Sequence, residues 1–137
     1  MKPVKATVGA IIEKDGNILM ELRNNEPFKN HWCIPGGHID FGEQVETAVT
    51  REVKEETGLT ADTYSFFNYY TEYYPEMDWH AVALVFSVTV SGKEKMQESE
   101  VKELRWFSYD EVLSLSLAFE HERILTDYII IKKTQDT

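Results

Sequence analysis

The sequence has few of the residues that mark a secreted, membrane-spanning or nucleic-acid-binding protein. Its one cysteine, Cys33, cannot form a disulfide within the chain, so a reducing, cytoplasmic setting is expected. No apolar run approaches the length of a membrane span, and "MKPVKATVGA" lacks a signal-peptide pattern, so no membrane partner is expected. Only 14 lysines and arginines stand against 24 aspartates and glutamates, a net charge of −10. A surface of that sign repels nucleic acid polymers.

The chain does contain enough apolar residues, 42% of 137, to form one domain over residues 1–137. Apolar runs on both sides of Asp15-Gly16 predict a β-hairpin, and a short strand interrupted by Pro35-Gly36-Gly37 follows. Three later segments are rich in aromatic and β-branched residues and are typical of strands: residues 60–74, 80–92 and 101–108. Three segments have helical periodicity: residues 43–57, 109–115 and 119–133. This order predicts an α/β protein with a mixed β-sheet and helices on both faces.

The stretch "REVKEETGL" places three glutamates near the end of the first predicted helix. On a wheel of about 100° per residue, Glu52, Glu55 and Glu56 centre only about 40° from the apolar face. Neighbouring carboxylates repel one another, and burial increases the cost. Salt bridges to Arg51 or Arg23 would relieve it, as would a divalent metal ion. Because local cations are few, the metal ion is favoured, and ligands that are all oxygen suit Mg²⁺ or Mn²⁺ better than zinc.

The glycines before this helix complete the predicted site. Gly36 and Gly37 allow the backbone to approach a ligand closely and to adopt conformations that other residues disfavour. A backbone carbonyl from this turn can therefore reach a metal ion that the helix holds.

The spacing of these residues resembles the signature of the Nudix hydrolases. Five residues separate Gly37 from Glu43, and seven separate Glu43 from "REVKEETGL". The resemblance extends to "WCIPGG" before the motif and "LRWFSYDEV" after it. It implies an α/β/α sandwich and hydrolysis, dependent on Mg²⁺ with Mn²⁺ as a possible substitute, of a nucleoside diphosphate linked to another moiety.

The same resemblance implies a metal site at four positions: Gly37, Glu52, Glu55 and Glu56. Glu52 and Glu56 are the principal ligands, a carbonyl of Gly36 or Gly37 assists them, and Glu55 shares the site or orients water. When bound, the metal ions neutralise pyrophosphate oxygens and lower the pKa of a bound water.

The catalytic residues implied in addition are Arg51, Glu43 and a general base. Arg51 pairs with Glu43 or with a ligand carboxylate and fixes the geometry. Family members often take the base from a loop beyond the helix, and "QESEVKELRW" offers two candidates there. Glu100, where the strand begins, is the first choice, Glu98 the second, and Glu55 the option within the helix.

Four residues are expected to bind substrate: Arg23, Trp32, His38 and His80. Arg23 and His38 are candidate contacts for phosphate, Trp32 for a stacked base, and His80 for a base or ribose. Each also has an ordinary structural interpretation.

Three functions are compatible with the motif. Pro75, downstream of the motif, resembles a proline of ADP-ribose pyrophosphatases, and cations near the motif are few, which favours ADP-ribose or a nucleotide sugar. The alternatives are a housecleaning nucleoside triphosphate pyrophosphatase and a non-catalytic nucleotide-binding regulator. The expected partner is a small nucleotide, and the aliphatic run in "DYIIIKK" predicts a homodimer.

Overall fold

The computed structural model describes residues 2–135, and its elements follow the predicted order. Within these residues the strands are β1 Lys5–Lys14, β2 Asn17–Arg23, β3 Trp32–Cys33, β4 Gly36–His38, β5 Thr60–Tyr74, β6 Trp79–Ser91 and β7 Val101–Ser108. The helices are α1 Val45–Thr57, α2 Tyr109–Leu113 and α3 His121–Gln135, with a one-turn 3₁₀ helix at Pro75–Met77. None of the helices in residues 2–135 is long and apolar enough to cross a membrane.

The strands form one mixed sheet. Its path is β3-β2-β1-β6-β5, with β4 beside β1 and β7 beside β2. β1 runs parallel to β6, whereas the other pairs are antiparallel. Asp15 and Gly16 turn the chain between β1 and β2 with φ of 53° and 78°, and positive φ at both positions is what a two-residue hairpin of this kind requires.

β1 and β2 separate soon after their hairpin. Their registered pairs are Glu13 with Ile18 and Lys14 with Asn17. Nearer its start, β1 pairs instead with β4, over residues 7–9, while β2 continues between β3 and β7. Residues from both branches, β1 with β4 and β2 with β3, line one cavity.

Helices cover both faces of the sheet and enclose two apolar cores. α1 packs on one face, in a cluster that contains Val8, Ala10, Ile12, Leu19, Ala48, Val49 and Val53. α2 and α3 cover the other face, in a cluster that contains Ile11, Ile18, Met20, Val112, Ile124, Leu125 and Tyr128. The alternation of Ile11 with Ile12, and of Ile18 with Leu19, follows from the two-residue period of a strand. The predicted α/β fold with a mixed sheet between helices is confirmed.

Two of the helices begin later than predicted. α1 begins at Val45, because the Glu43 N–H donates to the Asp40 carbonyl in a turn and Gln44 is the extended residue before the helix. It ends, as predicted, at Gly58, whose φ of 78° suits glycine. α3 begins two residues later than predicted, because Phe119 has a φ of 52° and cannot lie within a right-handed helix.

Candidate active site

A cavity of about 600 Å³ lies where β1 and β2 separate. Strand β4 and the end of α1 form one side of it, and β2 and β3 form another. Its polar lining includes Glu21, Arg23, His38, Glu56, Glu72 and Glu100. Strand pairing therefore brings the glycine turn, the acidic helix and the loop before β7 to one place.

Two of the three predicted glutamates of α1 are buried. Glu52 is 9% exposed and Glu56 is 5% exposed, in line with the helical wheel. The side chain of Glu55 is 50% exposed, so its predicted place on the buried face is wrong. The prediction rests on the mean direction of the three glutamates on the helical wheel. Glu55 alone lies about 95° from the centre of the apolar face.

The glycine turn is in direct contact with these carboxylates. The Gly36 N–H donates a hydrogen bond of 2.7 Å to Glu56 Oε1. A Cβ at Gly36 would lie 2.1 Å from the Val8 carbonyl oxygen, and one at Gly37 would lie 2.6 Å from the Glu52 carboxylate. Both distances are shorter than real contacts. The clash at position 36 is with backbone and requires glycine there, whereas a side chain at position 37 would displace the Glu52 carboxylate.

Arg51 is the main cation of the acidic helix. It makes two hydrogen bonds to Glu43, of 2.7 and 2.9 Å, and one to Glu52 Oε1 of 2.8 Å. It also contacts Glu55 Oε2 at 3.1 Å and donates to the His38 carbonyl. The predicted pairing of Arg51 with Glu43 is thus present, and Arg51 lowers the pKa of Glu43 to about 2.

The salt-bridge alternative accounts for only part of the acidic cluster. Arg51 neutralises Glu52, but no lysine or arginine within residues 2–135 forms an ion pair with Glu56. Burial raises the pKa of Glu56, and the charge of Glu21 raises it further. Burial also raises the pKa of Glu52, against the hydrogen bond from Arg51.

Glu21 on β2 is a buried carboxyl that the sequence analysis missed. It is 3% exposed and lies close enough to Glu56 for the two carboxyl groups to hydrogen-bond when one is protonated. The Cys33 thiol donates to Glu21 Oε1 at 3.6 Å, whereas Glu21 Oε2 is buried without a hydrogen-bond donor. The available signal was strand parity, because Glu21 lies on the same side of β2 as Leu19, which faces α1.

Of the two loop candidates for the base, Glu100 lines the cavity and Glu98 does not. The charge of Glu100 contributes to the raised pKa of Glu52, after burial and together with Glu55, so its carboxylate is near Glu52. Within residues 2–135 no hydrogen bond or ion pair engages the Glu100 carboxylate. Its backbone carbonyl accepts from the Asn24 N–H, which holds this loop beside the end of β2.

The four predicted substrate contacts divide equally between cavity and elsewhere. Arg23 and His38 line the cavity, and burial lowers the pKa of His38. Trp32 is not in the lining, because its ring packs edge-on against Phe107, 5.0 Å away, in the core below α3. His80 is outside as well, since it lies on the exposed side of β6 with its ring 5.1 Å from Tyr73.

Two aromatic rings in the cavity each carry a cation. The Arg23 guanidinium lies 5.0 Å from the Phe119 ring centre, and Lys5 Nζ lies 4.2 Å from the Trp79 ring centre. Nothing in the sequence indicates that Phe119 would lie here. The positive φ that turns Phe119 into the cavity is a tertiary feature.

The residues present fit a hydrated, oxygen-binding cation. Within residues 2–135 no three histidine, cysteine, aspartate or glutamate side chains are placed to hold a metal ion by themselves. Mg²⁺ does not need such a cage, because it keeps several waters and binds through one or two carboxylates. Such an ion requires carboxylate oxygens that are free to bind it. Glu56 forms no ion pair within residues 2–135, and Glu21 Oε2 accepts no hydrogen bond.

Comparison with known proteins agrees with this geometry. Residues 2–128 match the NUDIX domain family. A protein of Methanocaldococcus jannaschii named ADP-ribose pyrophosphatase is 41% identical over 124 residues, 89% of this chain and 71% of the relative.

Two solved structures share the fold over nearly their whole length. The MutT NUDIX hydrolase of Burkholderia pseudomallei has a TM-score of 0.86 at 29% identity, covering 91% of this chain and 98% of that one. The MutT protein of Methanosarcina mazei has a TM-score of 0.82 at 26% identity, covering 96% of each chain. With the family signature, the buried glutamates and the glycine turn in place, the chain belongs to the Nudix hydrolase family and is a pyrophosphohydrolase.

Proposed function

We propose that the protein hydrolyses the pyrophosphate bond of a nucleoside diphosphate linked to another moiety, with ADP-ribose or a nucleotide sugar as the favoured substrate. The observation that carries the proposal is the burial of Glu52 and Glu56 against the glycine turn, whose Gly36 and Gly37 line one cavity together with Glu56. The relative at 41% identity, named for ADP-ribose, supports the choice of substrate.

Glu52 and Glu56 would hold Mg²⁺, or Mn²⁺ in its place, together with the Gly37 carbonyl. The metal ion, when bound, neutralises pyrophosphate oxygens and lowers the pKa of a bound water. Arg51 keeps Glu52 in place through its 2.8 Å contact and is itself held by Glu43. Because Glu55 is exposed at the rim and contacts Arg51, its proposed part is to orient water or to share the ion there.

Glu100 would act as the general base. It lines the cavity, it is not engaged by other described residues, and its charge acts on Glu52. A carboxylate in this position can accept a proton from the attacking water without giving up a metal contact.

The charge of the cavity favours a diphosphate over a triphosphate. Apart from histidines, the basic residues of its lining are Lys5 and Arg23, whereas the acidic residues are Glu21, Glu26, Glu56, Glu72, Asp78 and Glu100. The outer phosphate of a triphosphate needs additional positive charge, which this lining lacks. Trp79 and Phe119, each with a cation over its ring, offer surfaces for a base.

The test compares kcat/KM for ADP-ribose, nucleotide sugars, and canonical and oxidised nucleoside triphosphates, with product identification and titration of Mg²⁺ and Mn²⁺. Faster hydrolysis of ADP-ribose or a nucleotide sugar to two monophosphates is expected. A preference of tenfold or more for any triphosphate would establish the triphosphate pyrophosphatase instead. Tight nucleotide binding without turnover of any substrate would establish the regulator.

A further inference from the structure

Glu21 is surrounded by protein on every side but the cavity. It lies on β2, where it pairs with Cys33 of β3 and with Leu104 of β7. Its side chain is directed to the face that α1 covers, where Glu56 lies in the last turn of the helix. Both carboxyl groups line the cavity, so they face one another across the separation of the two strand branches.

The hydrogen bonds available to Glu21 are too few for a buried carboxylate. Oε1 accepts only the weak thiol donor of Cys33, at 3.6 Å, and Oε2 accepts none. Arg23 is the nearest cation on the same strand, but its Nε–H donates to the Pro27 carbonyl. Burial of a carboxylate that has one weak donor and no ion pair is unfavourable, so a purely structural role would be served better by an apolar residue or an amide.

The distribution of cations among the buried carboxylates points to a missing positive charge. Glu52 has Arg51 at 2.8 Å. Glu56 has one backbone N–H donor and Glu21 has one thiol, and neither forms an ion pair within residues 2–135. The uncompensated charge is therefore on the Glu21–Glu56 side of the cluster.

We propose that Glu21 belongs to the metal site. Its Oε2, which accepts no hydrogen bond, binds a divalent cation together with the carboxylate of Glu56 on α1. Two carboxylates with water molecules are a sufficient ligand set for Mg²⁺ or Mn²⁺. This inference rests on the proposed metal-dependent function and adds a ligand from the sheet to those of the helix.

The test measures Mn²⁺ binding by isothermal titration calorimetry at pH 7.5 without nucleotide, so its result does not depend on turnover. Glu21→Gln should raise the Kd for Mn²⁺ by about tenfold or more, as loss of a carboxylate near a metal does. The matched control is Glu72→Gln, which neutralises an equally buried glutamate of the same cavity whose Oε1 is already bonded to Trp79. The control should keep the wild-type Kd.

Thermal unfolding separates metal binding from folding. Glu21→Gln should unfold without metal at the wild-type temperature or above it, and Mn²⁺ should raise that temperature less than it does for the wild type. If Glu21→Gln does not fold, Glu21→Asp decides, because it keeps the charge but withdraws the carboxylate from Glu56, and a raised Kd is again expected.

A Kd within twofold of the wild type in the folded Glu21 variant would overturn the assignment. Glu52→Gln and Glu56→Gln, measured alongside, show which hypothesis has failed. If they weaken Mn²⁺ binding and Glu21→Gln does not, only the role of Glu21 is lost. If none of the three changes the Kd, the proposed metal site itself is wrong.

Discussion

Helices α1 and α3 lie on opposite faces of the sheet. They depart in opposite directions from the rule that apolar side chains are buried and charged side chains are exposed. α1 buries the carboxyl groups of Glu52 and Glu56, whereas α3 leaves Ile130 59% exposed and Ile131 45% exposed. On α1, Arg51 pairs with Glu52, whereas Glu56 accepts only the Gly36 N–H and forms no ion pair within residues 2–135. On α3 no described residue covers the two isoleucines. We therefore predict a ligand for the buried charges of α1 and a partner surface for the exposed aliphatic pair of α3.

The largest effect is expected from removing the charges that α1 buries. Glu56→Gln or Glu52→Gln should lower kcat by about 10³-fold or more, because electrostatic stabilisation through the metal is lost. Folding should be intact, since burial raises the pKa of each carboxyl and the amide removes that cost. Steady-state kinetics with Mg²⁺ and thermal unfolding measure both. Glu103→Gln is the control, because Glu103 lies outside the cavity lining. Near-normal turnover in either α1 variant would contradict the assignment of Glu52 and Glu56 as metal ligands.

A smaller loss is expected when the base is removed and the ligands are kept. Glu100→Gln should lower kcat by about 10²-fold or more, within the usual contribution of a general base. Its affinity for Mn²⁺ should stay near the wild-type value, because a base need not be a ligand. Glu98→Gln, on the same loop but outside the lining, is the matched comparison. If Glu98→Gln has the larger effect, the assignment within the loop is reversed.

The cost of a buried carboxyl can also be measured away from the metal site. Burial raises the pKa of Glu72 to about 7, with the charge of Glu120 adding to it and the Trp79 hydrogen bond opposing it. A raised carboxyl pKa means that the folded state holds its proton more tightly than the unfolded state. This contribution is present below the ordinary glutamate pKa and is lost as pH rises to about 7.

Urea unfolding at pH 5 and pH 8 checks this sign. Between pH 5 and pH 8, the unfolding free energy of the wild type should fall by up to about 3 kcal/mol more than that of Glu72→Gln. Glu103→Gln is the control, because its side chain is partly exposed beside Arg105. An equal pH dependence in wild type and Glu72→Gln would contradict the raised pKa.

The smallest effect concerns the exposed side of α3. The chain is predicted to form a homodimer, so light scattering should give about twice the chain mass of 15.9 kDa. Ile130→Lys combined with Ile131→Lys should return the monomer mass with little change in monomer stability, because both side chains are exposed. Lys133→Ser is the control on the same helix. A monomer at working concentration in the wild type would refute the dimer.

The site could be predicted from sequence where its residues are close in the chain. Glu52 and Glu56 are one turn apart on α1, so the helical period alone places both on the face with Val49 and Val53, which the structure confirms. The same period placed Glu55 there only because three positions were averaged. Glu100 was chosen for its place before a strand, and it does line the cavity, although its catalytic role stays a prediction.

The expected substrate contacts that the structure places outside the cavity depend on contacts between distant segments. Trp32 was expected to stack a base, but β3 turns its ring to Phe107 of β7. His80 begins β6 on the side away from the cavity and pairs with Tyr73 of β5. Strand parity was known for each residue, but which face borders the cavity depends on how the strands assemble.

Features that depend on backbone conformation and on the helical period could be predicted from the sequence. The Asp15-Gly16 turn, the end of α1 at Gly58 and the burial of two glutamates on α1 follow from backbone conformation and helical period. Three other features depend on tertiary contacts. These are the separation of β1 from β2, the position of Glu21 beside Glu56 in the cavity between them, and the orientation of Phe119 into that cavity. The reason is that these contacts join segments far apart in the chain, and their geometry is set by strand pairing and by helices packing on both faces, which no local period encodes.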